Sequence, residues 1–235
     1  IKLTRDAELY IDDEYSGDLV QKIKSSLQKR QVGPPSRFVY DREMPEHLLT
    51  YLRDTFEIRK NDVLPEGRYH NNFDFFKFPD FGMTHLRNKP LPPLPHPLLH
   101  EAADPFKIIR EKDQMLHVPY QSYESVINFF ECAAKDPAVT HIKVIQYRVA
   151  KYSRIMHALM NAVKEGKQVS VFVEIKARFD EAANLEWGEK LEKAGVRVHY
   201  SFPGVKVHSK LALVRRLEGG EPQLYSYLST GNFHE

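Results

Sequence analysis

Apolar positions in this chain follow two alternating periods, and the alternation is clearest beyond residue 120. Tyr123, Val126, Ile127, Phe130 and Ala134 recur at the spacing that lines one face of a helix. His141–Tyr147 reads as a strand, apolar on both faces except at Lys143 and Gln146. Ser153 is placed to cap a helix whose face is Met156, Leu159 and Val163 and which Gly166 closes. A strand over Val169–Ile175 follows, then a helix with Asp180 at its cap, Trp187, Leu191 and Ala194 on its face and Gly195 at its end. Strands at Val196–Tyr200, Val205–Val214 and Leu224–Leu228 complete the series. Helices between successive strands are the connections that parallel pairing requires, so the first three strands are predicted parallel in one buried sheet. The last two strands are predicted to form a hairpin across Leu217–Gln223. The fold class is α/β, a layered domain with a mixed, mostly parallel sheet.

The first part of the chain has a weaker, mixed pattern and reads as a smaller α+β block. Leu19, Val20, Ile23 and Leu27 make a helix face that Gly33-Pro34-Pro35 ends. Arg37–Tyr40 reads as a short strand, and Leu48, Leu49, Leu52 and Phe56 as a second amphipathic helix entered through Pro45. Tyr69, Phe73, Phe75, Phe76, Phe78 and Phe81 cluster around Asn71-Asn72 and are expected to bury together as a satellite core rather than to stack bases. Residues 89–97, Lys-Pro-Leu-Pro-Pro-Leu-Pro-His-Pro, must run extended. This segment reads as a connector between blocks at 1–96 and 97–235 rather than as a ligand for an aromatic groove.

Composition narrows the class. The 235 residues are 42% hydrophobic and 28% charged, which fits a globular chain and excludes wholesale disorder. No apolar run reaches the ~18 residues needed to cross a bilayer, and the first twenty residues are too charged for a signal peptide. A net charge of +2 gives no bulk polyanion coating. The single cysteine, Cys132, excludes an internal disulfide framework and a Cys-cluster metal site. A first residue Ile1 and a last residue Glu235 just beyond Thr-Gly-Asn read as a piece of something longer.

Ligands of open α/β sheets collect beyond the carboxyl ends of the strands. Arg148 stands there after the first strand of the second block, and Lys176-Ala177-Arg178 after the next. A guanidinium fork matches phosphate oxygens in pairs; either arginine taken singly reads rather as a solvated surface residue, and two at corresponding strand ends bring the two readings level. On the strand predicted over 205–214, His208 and Lys210 share a face, about 7 Å apart by strand geometry. An imidazole beside a fixed cation suits attack on phosphorus, whereas a bare His-x-Lys is more often an incidental pair. The surroundings favour chemistry: residues 203–216 hold Lys206, Lys210, Arg215 and Arg216 and no acid. Ser229-Thr230-Gly231-Asn232 adds small polar donors on a turn. Together His208, Lys210, Asn232, Arg148 and Arg178 read as a phosphate-handling pocket. His157 reads as exposed or satisfied, His141 and His199 as supporting groups, and Cys132 as packing. Glu174, Asp180 and Glu181 read either as groups that steer Arg178 or approach Mg²⁺, or equally as local caps and salt partners. Neither GxxxxGK[ST] nor GxGxxG occurs, so nucleotide binding through those loops is unsupported.

The segments Ile145-Gln146-Tyr147-Arg148-Val149-Ala150, Lys176-Ala177-Arg178-Phe179-Asp180-Glu181, Gly204-Val205-Lys206-Val207-His208-Ser209-Lys210 and Thr230-Gly231-Asn232, in that order, resemble the bacterial polyphosphate kinase family. Thr4-Arg5-Asp6-Ala7-Glu8 and Gly67-Arg68-Tyr69-His70-Asn71 resemble that family's preceding domain. The resemblance implies reversible transfer of the terminal phosphate of ATP to inorganic polyphosphate through a phosphohistidine, on a phospholipase-D-like fold with two similar α/β halves. Residues 1–96 then correspond to part of the middle domain, and 97–235 to the first phospholipase-D-like catalytic domain, truncated at its C-terminus. His208 matches the phosphorylated histidine and Lys210 the lysine of His-x-Lys. Arg148 and Arg178 match two arginines of the Mg²⁺-phosphate site. Because a guanidinium has no lone pair to ligate a cation, they are expected to hold phosphate oxygens around Mg²⁺.

Implied partners are ATP, ADP and inorganic polyphosphate, together with an N-terminal and a second C-terminal domain that this chain lacks. The full-length protein is expected to be a homo-oligomer that binds no nucleic acid. It is expected in the cytoplasm, with peripheral association at the inner membrane left open. The fragment alone is expected to be inactive. Two alternatives are a phospholipase-D-type phosphodiesterase and a non-catalytic polyanion-binding module. The first is disfavoured because the Asp that follows that Lys by five residues in hydrolytic members is Arg215 here.

Overall fold

The computed structural model describes residues 1–5, 19–30, 33–177, 180–202 and 205–233. The chain divides into two compact units, one ending at Pro90 and one beginning at Leu91.

In the first unit β1 (Lys2–Arg5) pairs antiparallel with β2 (Pro35–Asp41), which pairs parallel with β3 (Val63–Glu66). The helices are α1 (Leu19–Arg30) and α2 (Glu46–Thr55), the latter entered through Pro45. Phe38, Leu49 and Ile58 form a small core against which Leu3, Tyr40, Met44, Leu52, Phe56 and Val63 pack. The expected satellite core of aromatics does not form. Tyr69, Phe73, Phe75, Phe76, Phe78 and Phe81 are each between 62% and 94% exposed. Several of them lie on or beside the 3₁₀ turn Asn72–Lys77, where residues three apart eclipse, so Phe73 meets Phe76 while Phe75 lies off that row.

The second unit contains α3 (Pro105–Glu111), α4 (Glu124–Lys135), β4 (Val139–Gln146), α5 (Arg154–Lys164), β5 (Gln168–Val173), α6 (Glu181–Lys193), β6 (Arg197–Tyr200), β7 (Lys210–Glu218) and β8 (Glu221–Ser229). The sheet order is β6-β5-β4-β7-β8. The expected parallel trio is present, β4 beside β5 beside β6, and β7 and β8 form the expected hairpin. Its turn is Gly219-Gly220 with φ of +60° and +91°, a conformation that only glycine adopts without strain at both positions. Because β7 lies antiparallel to β4, and β8 antiparallel to β7, four of the five strands run the same way. The carboxyl ends of those four and the amino end of β7 therefore share one edge.

Burial alternates along the strands. Ile142, Val144, Val169, Val171, Val173, Ala212 and Val214 are buried, which contributes about 1.5–3 kcal/mol for each large side chain. The helices lie on that face: Phe106 of α3 and Phe130 of α4 meet Tyr225 and Tyr227 of β8, and the two right-handed crossovers carry α5 and α6 to the same side. The intervening sheet residues, such as Lys143, Ser170 and Arg197, point the other way and are exposed or half-buried.

Two expectations need correction, and one element is added to those predicted. The strand predicted over 205–214 begins only at Lys210, because the ladders on either side give out there: Lys210 pairs with Ser229, and Leu211 with Ile145. Asp180 sits at the N-cap of α6, but its carboxylate makes no capping bond. The helix α3 was not foreseen; Asp104 caps it by accepting from Phe106 N and Lys107 N, with Pro105 at its first position.

A buried polar residue ties the sheet edge together. Asn184 of α6 donates through Nδ2 to Tyr147 O (2.7 Å) and Glu174 O (2.8 Å), and its Oδ1 accepts from Gln146 Nε2 (3.3 Å). Asn184, Gln146 and Glu174 have no solvent exposure. Asn184→Ala leaves two buried carbonyls and an amide short of partners, so the urea midpoint should fall by the equivalent of about 3 kcal/mol. An unchanged midpoint would show that this tie contributes nothing.

Candidate active site at the sheet edge

The topology places His208, Lys210, Arg148 and Asn232 at one edge of the second unit. Beyond the start of β7, nothing separates the continuations of β4 and β8, and they meet in a parallel bridge between Val149 and Phe233. That bridge sets Arg148 and Asn232 side by side in sequence register. Arg178 lies outside the described residues.

His208 sits in the segment leading into β7, with its ring exposed, while Lys210 is 4% exposed. The Lys210 ammonium donates to the His208 carbonyl oxygen at 2.7 Å and lies 3.2 Å from each ring nitrogen. Equal distances put the ammonium over the ring face, since an in-plane approach at that range would collide with Cε1. Neither nitrogen then has its lone pair tied up by the lysine. The strand spacing of about 7 Å expected for the pair does not apply, because His208 lies before the first residue of β7. Tyr147 packs beside the imidazole edge-to-face, with ring centroids 4.5 Å apart. The same tyrosine ring has Lys210 Nζ at 4.8 Å, the Arg148 guanidinium carbon at 5.5 Å and Lys206 Nζ at 5.9 Å. Three cations around one aromatic ring and one imidazole form a compact positive site.

Burial holds the Lys210 pKa below the ordinary lysine value, and repulsion from Arg148 adds to the shift. Arg148 is positioned by Asp180, whose Oδ2 lies 2.7 Å from Arg148 Nε. The loop carrying the histidine is fastened from below by Glu174. Its Oε2 accepts from Val207 N and its Oε1 from Lys176 N, both at 2.8 Å. Asn232 is half-buried, with an Oδ1 that has no hydrogen-bond partner among the described residues.

Tyr147, Glu174 and Asn184 carry the site's geometry and were not singled out for these roles from the sequence. Tyr147 looked like the last apolar residue of a strand; the signal available was an aromatic directly before Arg148. Glu174 reads in the sequence as a group that steers Arg178 or approaches Mg²⁺, or as a local cap or salt partner, rather than as an acceptor for the histidine loop. The expectation for His141 is corrected: it lies at the amino end of β4, on the opposite sheet edge from His208, because strand direction rather than proximity in sequence decides the edge. His199 is exposed on β6. His157 is exposed, with its ring edge-on to Trp187 at 5.9 Å. Cys132 is half-buried, and burial pushes its thiol pKa up, as suits a packing residue.

Comparison with known proteins gives a consistent result. Residues 104–235 match the family model described as polyphosphate kinase C-terminal domain 1, and residues 1–78 the model described as polyphosphate kinase middle domain. The chain is 45% identical over 236 residues to a polyphosphate kinase of Vibrio vulnificus (strain YJ016), covering 100% of this chain and 34% of the relative. It is 45% identical over 238 residues to that of Escherichia coli (strain K12), covering 100% of this chain and 35% of the relative. It also resembles the crystal structure of polyphosphate kinase from Porphyromonas gingivalis, with a TM-score of 0.74 and 41% identity, over 86% of this chain and 31% of that one. The chain thus spans about a third of the length of these relatives. The mixed sheet with its layer of helices is the phospholipase-D-like arrangement expected from the resemblance.

Proposed function

We propose, starting from the fact that this chain belongs to the polyphosphate kinase family, that it contributes the nucleophile and adjoining cations for reversible phosphate transfer between ATP and inorganic polyphosphate. The observation carrying this reading is the exposed His208 ring with the buried Lys210 ammonium 3.2 Å from both its nitrogens. In the first step a ring nitrogen forms a bond to the γ-phosphorus as the bond from that phosphorus to the bridging oxygen breaks, and ADP leaves with the electron pair. In the second step a terminal oxygen of polyphosphate attacks the same phosphorus and the nitrogen–phosphorus bond breaks, restoring the imidazole. Lys210 and Arg148 neutralise the phosphoryl oxygens in both steps, which is most of what such a transfer demands of a protein. Arg178 and Asn232 complete the phosphate-binding set in this reading.

Magnesium enters this reading with the nucleotide. No three His, Cys, Asp or Glu side chains among the described residues are grouped to hold a cation. Asp180 is paired with Arg148, and both Glu174 oxygens accept backbone N–H groups. These residues do not fit a protein-held ion, so phosphate oxygens and water would carry it.

Because the chain spans about a third of its relatives, the 235 residues alone are proposed to form part of a site without appreciable turnover. Self-association and a cytoplasmic location, at times against the inner membrane, belong to the same reading of the full-length protein. No helix among the described residues is long and apolar enough to cross a membrane. The test is ATP-dependent formation of polyphosphate, measured for this chain and for a protein of the relatives' length that contains it. Synthesis by the longer protein and none by the chain is expected. No synthesis by the longer protein overturns the assignment, and robust turnover by the chain overturns the partial-site reading.

A further inference from the structure

The edge of the sheet opposite His208 carries a second concentration of positive charge. Two clefts of about 500 and 680 Å³ open there and share His141, Lys167 and Gln168 in their walls. Lys135, Lys143, Lys167, Arg197 and Arg215 line one or both. Glu165 and Glu192 are the acids in the walls, so the edge carries a net +3 from five fixed cations and two carboxylates, against +2 for the whole chain.

The sheet register arranges these groups in rows on the face away from the helices. Ser170 pairs with both Lys143 and Arg197, which sets the two cations on one face, roughly 10 Å apart across two strand spacings. Arg215 pairs with His141 in the next row toward the edge. Lys167 is buried, at 7% exposure, and still borders both clefts.

None of these five cations forms an ion pair among the described residues, whereas Arg110, Arg148, Arg154 and Arg216 of the same unit all do. Unpaired cations held in register on a concave edge make a ready surface for a multivalent anion. The walls contain no Phe, Tyr or Trp on which bases could stack, which disfavours single-stranded nucleic acid. The eight residues of β4 span roughly 25 Å with Lys143 midway along them, and between Lys143 and the His208 edge the same face carries the apolar row Ile145, Phe172 and Leu211. The basic edge is therefore separate from the His208 site.

We infer that this edge is a second docking site for inorganic polyphosphate, holding a distal stretch of a long chain whose end is at His208. The inference rests on the substrate assigned above. Binding at the remote edge would make engagement at His208 intramolecular and so favour long chains over short ones.

The test is equilibrium binding of long-chain inorganic polyphosphate to the full-length protein and to its Lys143→Ala/Arg197→Ala variant, across a salt series. Both side chains are exposed, so folding should be unaffected. The variant should lose about tenfold in affinity, as for two exposed charge contacts, and show a shallower salt dependence. Its labelling at His208 by ATP should be unchanged. An unchanged affinity for long chains overturns the docking site. Equally tight, equally variant-sensitive binding of a single-stranded oligonucleotide of matched charge overturns its assignment to polyphosphate. Absence of labelling at His208 in the unmodified protein would instead strike the reaction assigned above, leaving the binding result to stand by itself.

Discussion

His208→Ala should abolish covalent labelling by γ-phosphate-labelled ATP in a protein of the relatives' length that contains this chain. The loss should be total rather than partial, because the side chain supplies the atom to which phosphorus bonds and no other histidine among the described residues sits in the Lys210–Arg148–Tyr147 cluster. The label on the unmodified protein should be labile in acid and stable in alkali, as a nitrogen–phosphorus bond is. The fold should survive, since the ring is exposed and its removal opens no cavity. Lys210 would still bond the backbone carbonyl of residue 208, and Glu174 would still hold Val207 N. Unchanged circular dichroism and thermal midpoint with no label is the expected pair of results. An acid-labile label that persists in the variant would remove His208 as nucleophile and leave only electrostatic roles for the cluster.

The sheet was readable because its inner face is continuously buried: Ile142, Val144, Val169 and Val171 declare their strands through burial that any register must preserve. The same logic misled at 205–209. Val205 and Val207 continue the alternation of the strand after them, yet β4 and β8 end too early to pair with them, and Val205 is 55% exposed. A strand's end depends on its neighbours' lengths, which no local pattern contains. The aromatic segment failed for a related reason, since clustering in sequence says nothing about which face each ring takes. Of the site, the cations and the histidine were legible by residue type and by the sheet-edge rule. Glu174 was not: its function is to accept from Val207 N, 33 positions away, and a carboxylate after a strand ordinarily meets water. Asn184 likewise shows its value only once β4 and β5 lie side by side.

Lys210→Met should slow phosphate transfer by about a hundredfold or more, the scale of removing one preorganised charge-stabilising donor from a reacting centre, without weakening the fold. The two effects separate because of where the ammonium lies. Lys210 is buried, meets no carboxylate among the described residues, and is repelled by Arg148, so its charged form is disfavoured in the folded state. Methionine keeps much of the stem's volume and needs no solvation, so the variant should be as stable as the parent at neutral pH, or more so. The pH dependence follows in sign. At pH below the lowered folded-state pKa, both folded and unfolded chains hold the proton and the unfavourable burial of charge is fully present. As pH rises from the lowered value toward the ordinary lysine range, the folded chain releases the proton first and stability rises. Denaturant midpoints of the parent should therefore gain on the methionine variant through that window, after correction for other titrating groups. The parent's transfer rate should fall over the same interval, because the cation over the imidazole is being lost. A variant that is clearly destabilised at neutral pH, or that retains full transfer, would show that the ammonium is a packing element and that the positive charge at His208 is supplied by other groups.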